Sequence, residues 1–138
     1  MKGKGKEHMG ARLLVVGAGL IALLPFSLLY LISDILYLVV YYLVRYRRKM
    51  VRINLHNAFP DKKQCERTVL EKKFYHHLCD YFVETVKLLR LSEDEMKQRM
   101  HFENPELLNQ LMKEGKSSLL CLGHYGNWEW VPSIVFHL

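Results

Sequence analysis

The sequence predicts a mostly helical α/β fold, in which an N-terminal membrane helix and several amphipathic helices lead into the first strand or strands of a sheet. Three observations support this. The first third of the chain is strongly apolar, the middle repeats apolar residues at three- and four-residue steps, and a short apolar run follows between two glycines. The 138 residues fit one domain. We expect a basic tail over 1–12, a membrane-inserted or interfacial helical segment over 13–46, and a cytoplasmic part over 47–138.

The apolar segment from Leu13 to Val44 is too uniformly apolar for an ordinary soluble core. Its only strongly polar residues are Ser27, Ser33 and Asp34. As one helix, these 32 residues would extend about 48 Å, which exceeds the roughly 30 Å hydrocarbon core of a bilayer. Pro25 predicts a break, because proline removes a helix donor and favours a new first turn.

We therefore predict a membrane-inserted helix from Gly10 to about Leu24, with continuation to Ile32 as an alternative. Phe26 to Tyr46 forms either a second, more interfacial helix or the kinked continuation of the first, and its tyrosines suit the bilayer boundary. A cleaved signal peptide is disfavoured, because the run is longer than an h-region and lacks a small-residue cleavage site. A buried soluble helix pair is disfavoured by the length of the run.

The net charge of +6 is concentrated at the two ends of the apolar segment. The denser cluster follows the segment and favours the cytoplasmic face, beside anionic headgroups. Because both flanks are basic, a re-entrant arrangement with both ends cytoplasmic stays open. A nucleic-acid partner is disfavoured, since the basic cluster adjoins an apolar segment and no known nucleic-acid-binding motif is present. The basic residues are Lys2, Lys4, Lys6 and Arg12 before the segment and Arg45, Arg47, Arg48, Lys49 and Arg52 after it.

Three unevenly spaced cysteines, Cys65, Cys79 and Cys121, form no CxxC pair. An odd number without a framework predicts reduced thiols on the cytoplasmic side. The sequence His76-His77-x-Cys79 lacks a second ligand pair, and a helix would direct the two histidines about 100° apart. We predict a solvated helix face there and no metal site.

Periodicity and end signals predict helices along the rest of the chain. Val51 to Pro60 closes one helix and enters a turn. A long amphipathic helix follows from about Cys65 to Leu89. Its predicted apolar stripe consists of Leu70, Phe74, Leu78, Tyr81 or Phe82, Thr85 and Leu88.

Two shorter helices follow the long one. Ser92 to Glu95 matches a capping box, which starts a helix that ends near Met100. Asn104-Pro105 predicts the next start, with an Asn cap and Pro at the first helical position, and Gly115 is placed to end that helix.

Ser117 to Leu122 is the short apolar run between Gly115 and Gly123. Without polar alternation it predicts a buried strand, and the order helix, strand, glycine turn is typical of α/β folds. In such folds, ligands bind at the loop that follows a strand.

A histidine followed five positions later by a carboxylate can form a general-base pair. Seven histidines and fourteen acids give about 0.7 such matches by chance, so spacing alone decides nothing. The first of the three matches lies in a predicted turn, and the acid of the second is explained by a helix start. The third alone follows the predicted strand, in a glycine-flanked loop. The matches are His56/Asp61, His101/Glu106 and His124/Glu129.

His124 and Glu129 can act together only if the chain turns between them. On one continuous helix, residues five apart are rotated by about 140°, so their side chains diverge. A loop carrying His124 and a helix starting near Asn127 could join them, with Asn127 as cap and Glu129 in the first turn. Gly123 and Gly126 permit unusual backbone angles and close approach of a substrate. A catalytic dyad and a loop histidine with a capping acid both stay open on this context.

Residues 123–129, Gly-His-Tyr-Gly-Asn-Trp-Glu, resemble the His-x4-Glu block of the bacterial lipid A biosynthesis acyltransferases. These lauroyl and myristoyl transferases belong to the lysophospholipid acyltransferase superfamily. Arg52-Ile53-Asn54-Leu55 with Ala58-Phe59-Pro60 resembles the block that follows the family's N-terminal membrane helix. Phe102-Glu103-Asn104 through Gly115-Lys116 resembles the segment that leads into the catalytic strand. The resemblance covers the chain from about Leu13 onward.

The resemblance implies an acyltransferase that moves a fatty acyl chain from acyl carrier protein to a hydroxyl of a lipid A precursor, in glycolipid and lipopolysaccharide biosynthesis. His124 would be the general base and Glu129 would hold its imidazole. Gly126, Asn127 and Trp128 would contact substrate. The implied location is the cytoplasmic face of the cell inner membrane. The implied partners are membrane lipids, the lipid A precursor and acyl carrier protein, with neither metal nor cofactor.

Family members extend well beyond this block, whereas the chain ends at Leu138, nine residues after Glu129. We therefore expect residues 47–138 to be a truncated N-terminal part of the acyltransferase domain, without the rest of its sheet and its acyl pocket. Residues 1–138 alone are expected to have little or no transferase activity, and measurable acyl transfer would contradict this. The alternatives are a different lipid acceptor and an inactive membrane-associated protein.

Overall fold

The computed structural model describes residues 4–138, and within them the side chains of residues 10–12 and 14–138. Lys2 of the predicted basic tail, and the side chains of Lys4 and Lys6, lie outside the described part. The prediction of a mostly helical chain is confirmed. Helices α1 to α6 span Lys4–Ile21, Phe26–Leu38, Arg48–Ala58, Gln64–Lys87, Glu93–Arg99 and Glu106–Lys113. A π-helical segment, Val39–Val44, continues α2, and 3₁₀ helices cover Leu88–Arg90 and Trp128–His137.

No strand is present between residues 4 and 138, so the α/β part of the predicted fold class is not confirmed. The predicted buried strand, residues 117–122, lies outside regular secondary structure, and Leu119, Leu120 and Leu122 are 89%, 53% and 50% exposed. The predicted burial is therefore wrong. A strand is stable only beside hydrogen-bonding neighbours and under an apolar layer, and the described residues supply neither to this segment.

The break predicted at Pro25 separates α1 from α2. α1 ends at Ile21, and Pro25, with φ −66° and ψ 154°, precedes the first residue of α2. The Lys87 ammonium is buried and donates to the carbonyl oxygens of Ala22 (3.1 Å) and Leu24 (3.0 Å). A cation placed after a helix C-terminus satisfies carbonyl groups that have no helical partner. α4, which carries Lys87, thus fixes the turn between the two apolar helices.

Among the described residues, Phe26–Val44 is the segment long and apolar enough to cross a membrane. Its 19 residues would extend about 28 Å, close to the hydrocarbon thickness. Gly10–Ile21 is a shorter apolar helix. The sequence predicted insertion of Gly10–Leu24, with continuation to Ile32 as an alternative, and either a more interfacial helix or a kinked continuation over Phe26–Tyr46. The longer apolar helix lies after Pro25, because the chain leaves the helix before Pro25 whereas α2 continues through the π-helical segment.

α2 has two different faces. One packs on α4 and contains the buried residues Phe26, Leu29 and Ser33, and Tyr41 continues this face in the π-helical segment. Ser33 donates to Asp80 at 2.6 Å, so this polar residue of the apolar run faces α4 and not lipid. The opposite face is an exposed apolar row at three- and four-residue steps, here called the outer stripe: Leu28, Leu31, Ile35, Leu38 and Tyr42.

The buried stripe of α4 differs from the predicted one by one position. Phe74, which the periodicity placed on the apolar stripe, and Phe82, which it placed there as the alternative to Tyr81, are 43% and 54% exposed. The prediction is wrong because it kept charged residues out of the core, whereas two of them are buried here with polar partners. The buried residues of α4 are Glu71, Tyr75, Cys79, Val83 and Lys87.

Glu71 is a buried carboxylate held by two arginines of α3. The Nε groups of Arg48 and Arg52 donate to its two oxygens at 3.0 and 2.9 Å. Burial alone would raise the pKa of Glu71, but the hydrogen bonds from Arg52 and Arg48 outweigh it and lower that pKa. The Arg48 guanidinium also lies 4.2 Å from the centre of the Tyr41 ring. Two members of the predicted headgroup-facing cluster therefore bind a buried carboxylate of α4, although only Arg48 is itself partly buried. The exposed members are Arg45, Arg47, Lys49 and Arg52.

The predicted helix ends beyond α4 are largely confirmed. Ser92 and Glu95 form the capping box of α5, in which the Glu95 N–H donates to the Ser92 hydroxyl at 3.2 Å. α6 begins one residue later than predicted, because Asn104 takes a left-handed backbone (φ 55°) and Pro105 is the cap. Gly115 follows the end of α6 with φ 67°, a left-handed backbone that favours glycine.

Candidate active site

The segment from Gly123 to Glu129 is a turn followed by a helix start, as the sequence predicts. The Tyr125 N–H donates to the Gly123 carbonyl oxygen at 2.9 Å. Gly126 has a φ of 61°, which a residue with a side chain rarely adopts. The 3₁₀ helix Trp128–His137, here called the site helix, begins directly after Asn127.

His124 lies exposed on this turn. Its ring meets the Trp128 ring edge to face, with centroids 4.6 Å apart and planes at 81°. A mainly apolar cavity of about 300 Å³ opens beside it, which is large enough for part of a small ligand. An imidazole ring thus lies at the edge of a mainly apolar space. The walls include Leu120, Leu122, Val131 and Pro132.

Glu129 binds Tyr81 of α4 and not His124. The Tyr81 hydroxyl donates to Oε1 of Glu129 at 3.1 Å, and no hydrogen bond joins His124 to Glu129 in the described chain. Partial desolvation, and then the hydrogen bond to this carboxylate, raise the pKa of Tyr81. The predicted contact of the dyad is therefore not formed in this structure, and catalytic hydrogen bonds of ligand-free enzymes often tighten only when substrate binds. The catalytic roles of the two residues stay a prediction.

Asn127 is the N-cap residue of the site helix and Glu129 lies in its first turn, as predicted, but the Asn127 side chain makes no capping hydrogen bond. Its amide Nδ2 donates instead to Oε2 of Glu84 in α4. The other oxygen of Glu84 accepts from the Tyr30 hydroxyl of α2 at 2.8 Å. Asn127 was predicted to contact substrate, and in this structure its amide nitrogen is bound to the protein itself.

Trp130 fixes the site helix in the hydrophobic core. Its buried ring packs with Met96 of α5 and with Phe26 at the start of α2, with 6.3 Å between the Trp130 and Phe26 ring centres. Leu88, Leu91 and Met100 complete this cluster. The beginning of α2 therefore touches the site helix, which carries Glu129.

The sequence alone does not identify Tyr30, Tyr81 and Glu84 as residues of the site. It places Tyr30 at the bilayer boundary and Tyr81 in an apolar stripe. The available signal is the i, i+3 spacing of Tyr81 and Glu84, which puts both on one face of α4. That this face meets Asn127 and Glu129 is a property of the tertiary structure.

The histidines of the other two histidine–acid matches lie outside the turn that carries His124. His56 is in α3 and His101 is in the connection between α5 and α6, and both are exposed. His76 contacts Asp34 at 2.9 Å and Asp80 at 3.4 Å. Within the part of the chain that the structure describes, no group of three or more His, Cys, Asp or Glu side chains is arranged to hold a metal ion.

One family of known proteins accounts for nearly the whole chain. The family described as bacterial lipid A biosynthesis acyltransferase matches residues 6–137. The chain belongs to this family. The resemblance read from Gly-His-Tyr-Gly-Asn-Trp-Glu is thereby confirmed, and the family acts on lipid A precursors as an acyltransferase. No curated protein and no solved structure matches the chain.

Proposed function

We propose that His124 and Glu129 form the catalytic dyad of an acyltransferase that moves a fatty acyl chain from acyl carrier protein to a hydroxyl of a lipid A precursor. The position of His124 supports this most. Its imidazole is exposed at the edge of an apolar cavity of about 300 Å³, inside the region that the family matches. The acceptor hydroxyl would approach the imidazole, while the acyl chain would lie along the apolar wall.

In the proposed reaction, His124 acts as a general base. Its imidazole takes the proton of the acceptor hydroxyl, and the oxygen attacks the thioester carbonyl carbon. The tetrahedral intermediate then breaks its carbon–sulfur bond and becomes the ester. The imidazolium returns the proton to the departing thiolate of acyl carrier protein, so protons balance. The reaction as proposed uses neither a metal nor a cofactor.

Glu129 orients the imidazole in this mechanism and stabilises the imidazolium. A carboxylate has two acceptor oxygens, so Oε1 can keep the Tyr81 hydroxyl while Oε2 accepts from the ring N–H of His124. Gly126 shapes the turn, and Trp128, which packs on His124, is positioned to contact the acyl chain.

We further propose that the protein works at the cytoplasmic face of the inner membrane. The outer stripe is an apolar surface suited to lipid. α4, however, lies along the other face of α2 and carries Asp80, Glu84 and Lys87. Surrounding α2 with lipid on all sides would bring these charges into hydrocarbon, which is costly. An interfacial position immerses the outer stripe and keeps α4 near water.

The experiment is acyl transfer by the complete gene product, with an acyl carrier protein donor and a lipid A precursor. We expect His124→Ala to lower kcat by about 10²- to 10⁴-fold, the usual contribution of a general base. His101→Ala is the matched control, because His101 is exposed and has an acid at the same spacing. Near-wild-type turnover by His124→Ala would remove His124 from the mechanism.

A further inference from the structure

Glu84 connects three elements around the predicted dyad. Its carboxylate accepts from the Asn127 amide in the turn and from the Tyr30 hydroxyl in α2. On the same face of α4, Tyr81 donates to Glu129 at 3.1 Å. Asn127 and Glu129 flank Trp128 in the sequence, and the Trp128 ring packs on His124. The end of the turn and the start of the site helix are therefore each attached to α4.

The partners of Glu84 are two neutral donors and not a cation. None of the salt bridges between described residues includes Glu84, so an ion pair does not explain its partly buried charge. A carboxylate removed from water is costly unless donors replace its hydration. It can accept both charge-assisted hydrogen bonds at once, whereas an amide in its place has only one acceptor oxygen.

We propose that Glu84 is a positioning residue that fixes Asn127, and through it Trp128 and His124, to α4 and to α2. Its catalytic consequence rests on the proposed function, whereas its effect on the turn does not. Because misplacing a reacting group by about 1 Å can cost 10²-fold in rate, a loose turn lowers turnover more than substrate affinity.

An amide–carboxylate exchange tests the contact directly. Asn127→Asp places two carboxylates opposite each other, and Glu84→Gln replaces the charged acceptor. In the double variant Glu84→Gln/Asn127→Asp, the new amide at position 84 can donate to the new carboxylate at position 127 and still accept from Tyr30. The matched control is Glu114→Gln, an exposed carboxylate that also has two partners, Gln110 and Lys116, but none in the site.

The structural readout uses the two tryptophans of the chain, Trp128 and Trp130, which both lie in the site helix. Their indole ¹H–¹⁵N resonances, recorded in detergent micelles, report on the turn without any activity. We expect both single variants to shift the Trp128 resonance and the double variant to move it back toward the wild-type position. Glu114→Gln should leave it unchanged.

The kinetic readout uses the complete gene product. We expect each single variant to lower kcat by about 10- to 100-fold with a KM change below about twofold, and the double variant to recover at least about tenfold. Wild-type resonance and kcat in both single variants would overturn the proposal, as would a double variant no better than the worse single variant. Should His124→Ala stay active while the Trp128 resonance is rescued, the proposed function fails and the role of Glu84 in the turn stands.

A milder variant tests the same contact in case Glu84→Gln or Asn127→Asp fails to fold. Tyr30→Phe removes one hydrogen bond to Glu84 and no charge. We expect it to shift the Trp128 resonance in the same direction as Glu84→Gln but by less, with an unchanged far-UV circular dichroism spectrum. An unmoved resonance would refute the link between α2 and the turn.

Discussion

Replacing Glu71 by glutamine tests the ionic contact that joins α3 to α4. Glutamine keeps the shape of the side chain and removes its charge, which leaves two arginines without their common counter-ion. Because the Glu71 side chain is 2% exposed, water cannot replace the lost partner without opening the helix pair. We expect a lower free energy of unfolding and an unchanged helical spectrum at neutral pH.

The magnitude follows from the exposure of the two arginines. Arg48 is 20% exposed, so its charged hydrogen bond to Glu71 contributes about 1.5–3 kcal/mol. Arg52 is 51% exposed, and solvent screening reduces its pair to about 0.2–1 kcal/mol. Since glutamine retains one acceptor oxygen, we expect Glu71→Gln to lose about 2–3 kcal/mol in total.

The loss should depend on pH. The pKa of Glu71 is lowered in the folded state, whereas the unfolded value is about 4.3. A lowered folded pKa contributes stability that is present above the unfolded pKa and is lost as pH falls through the folded pKa. The difference between wild type and Glu71→Gln should therefore be constant above about pH 5 and shrink in more acidic solution.

The assay is unfolding in a mild detergent, followed by far-UV circular dichroism between pH 3 and 8. Glu93→Gln is the control, because Glu93 is paired with Lys97 at 2.7 Å but is 54% exposed. It should cost less than about 0.5 kcal/mol. Equal losses in the two variants would refute the assignment of Glu71 as a buried charged anchor, as would a Glu71→Gln loss that does not change with pH.

Two further predictions concern the turn and the outer stripe. Gly126→Ala should lower stability by about 1–2 kcal/mol, because φ is 61° and no atom lies within 4 Å of the added Cβ, whereas Gly123→Ala, equally open but without a positive φ, should change little. Thermal unfolding of both variants checks this, and equal shifts would contradict it. Ile35→Glu, 57% exposed in the outer stripe, should weaken binding to anionic vesicles at least tenfold in co-sedimentation, since an acid in the apolar layer costs about 2–3 kcal/mol. Phe82 is 54% exposed on α4, and Phe82→Glu should leave vesicle binding nearly unchanged. Comparable losses of binding in the two variants would argue against the outer stripe as the lipid-facing surface.

Features set by a few neighbouring residues could be predicted from the sequence. The break at Pro25, the capping box of Ser92 and Glu95, and the helix end at Gly115 each depend on local backbone chemistry. For the same reason, the turn at Gly126 was located correctly.

Features that need a distant partner could not be predicted. Glu71 is buried because Arg48, 23 positions earlier, neutralises it, and Lys87 is buried because the carbonyl of Ala22 lies 65 positions away. An argument from apolar periodicity includes the cost of burying a charge but not the distant partner that offsets it, so it predicts that both residues face solvent. The contacts of Glu84 with Tyr30 and Asn127 join residues 54 and 43 positions apart. Residues 117–122 illustrate the same limit, because a strand is defined by neighbours outside its own sequence.

The most direct test of the central claim is a double-mutant cycle on the two dyad residues. Initial rates of acyl transfer are measured for the complete gene product as wild type, His124→Ala, Glu129→Gln and the double variant. Residues that act as one catalytic unit are strongly non-additive. We predict that Glu129→Gln slows the wild type by at least about tenfold but does not slow His124→Ala further. Losses that multiply in the double variant would contradict a dyad.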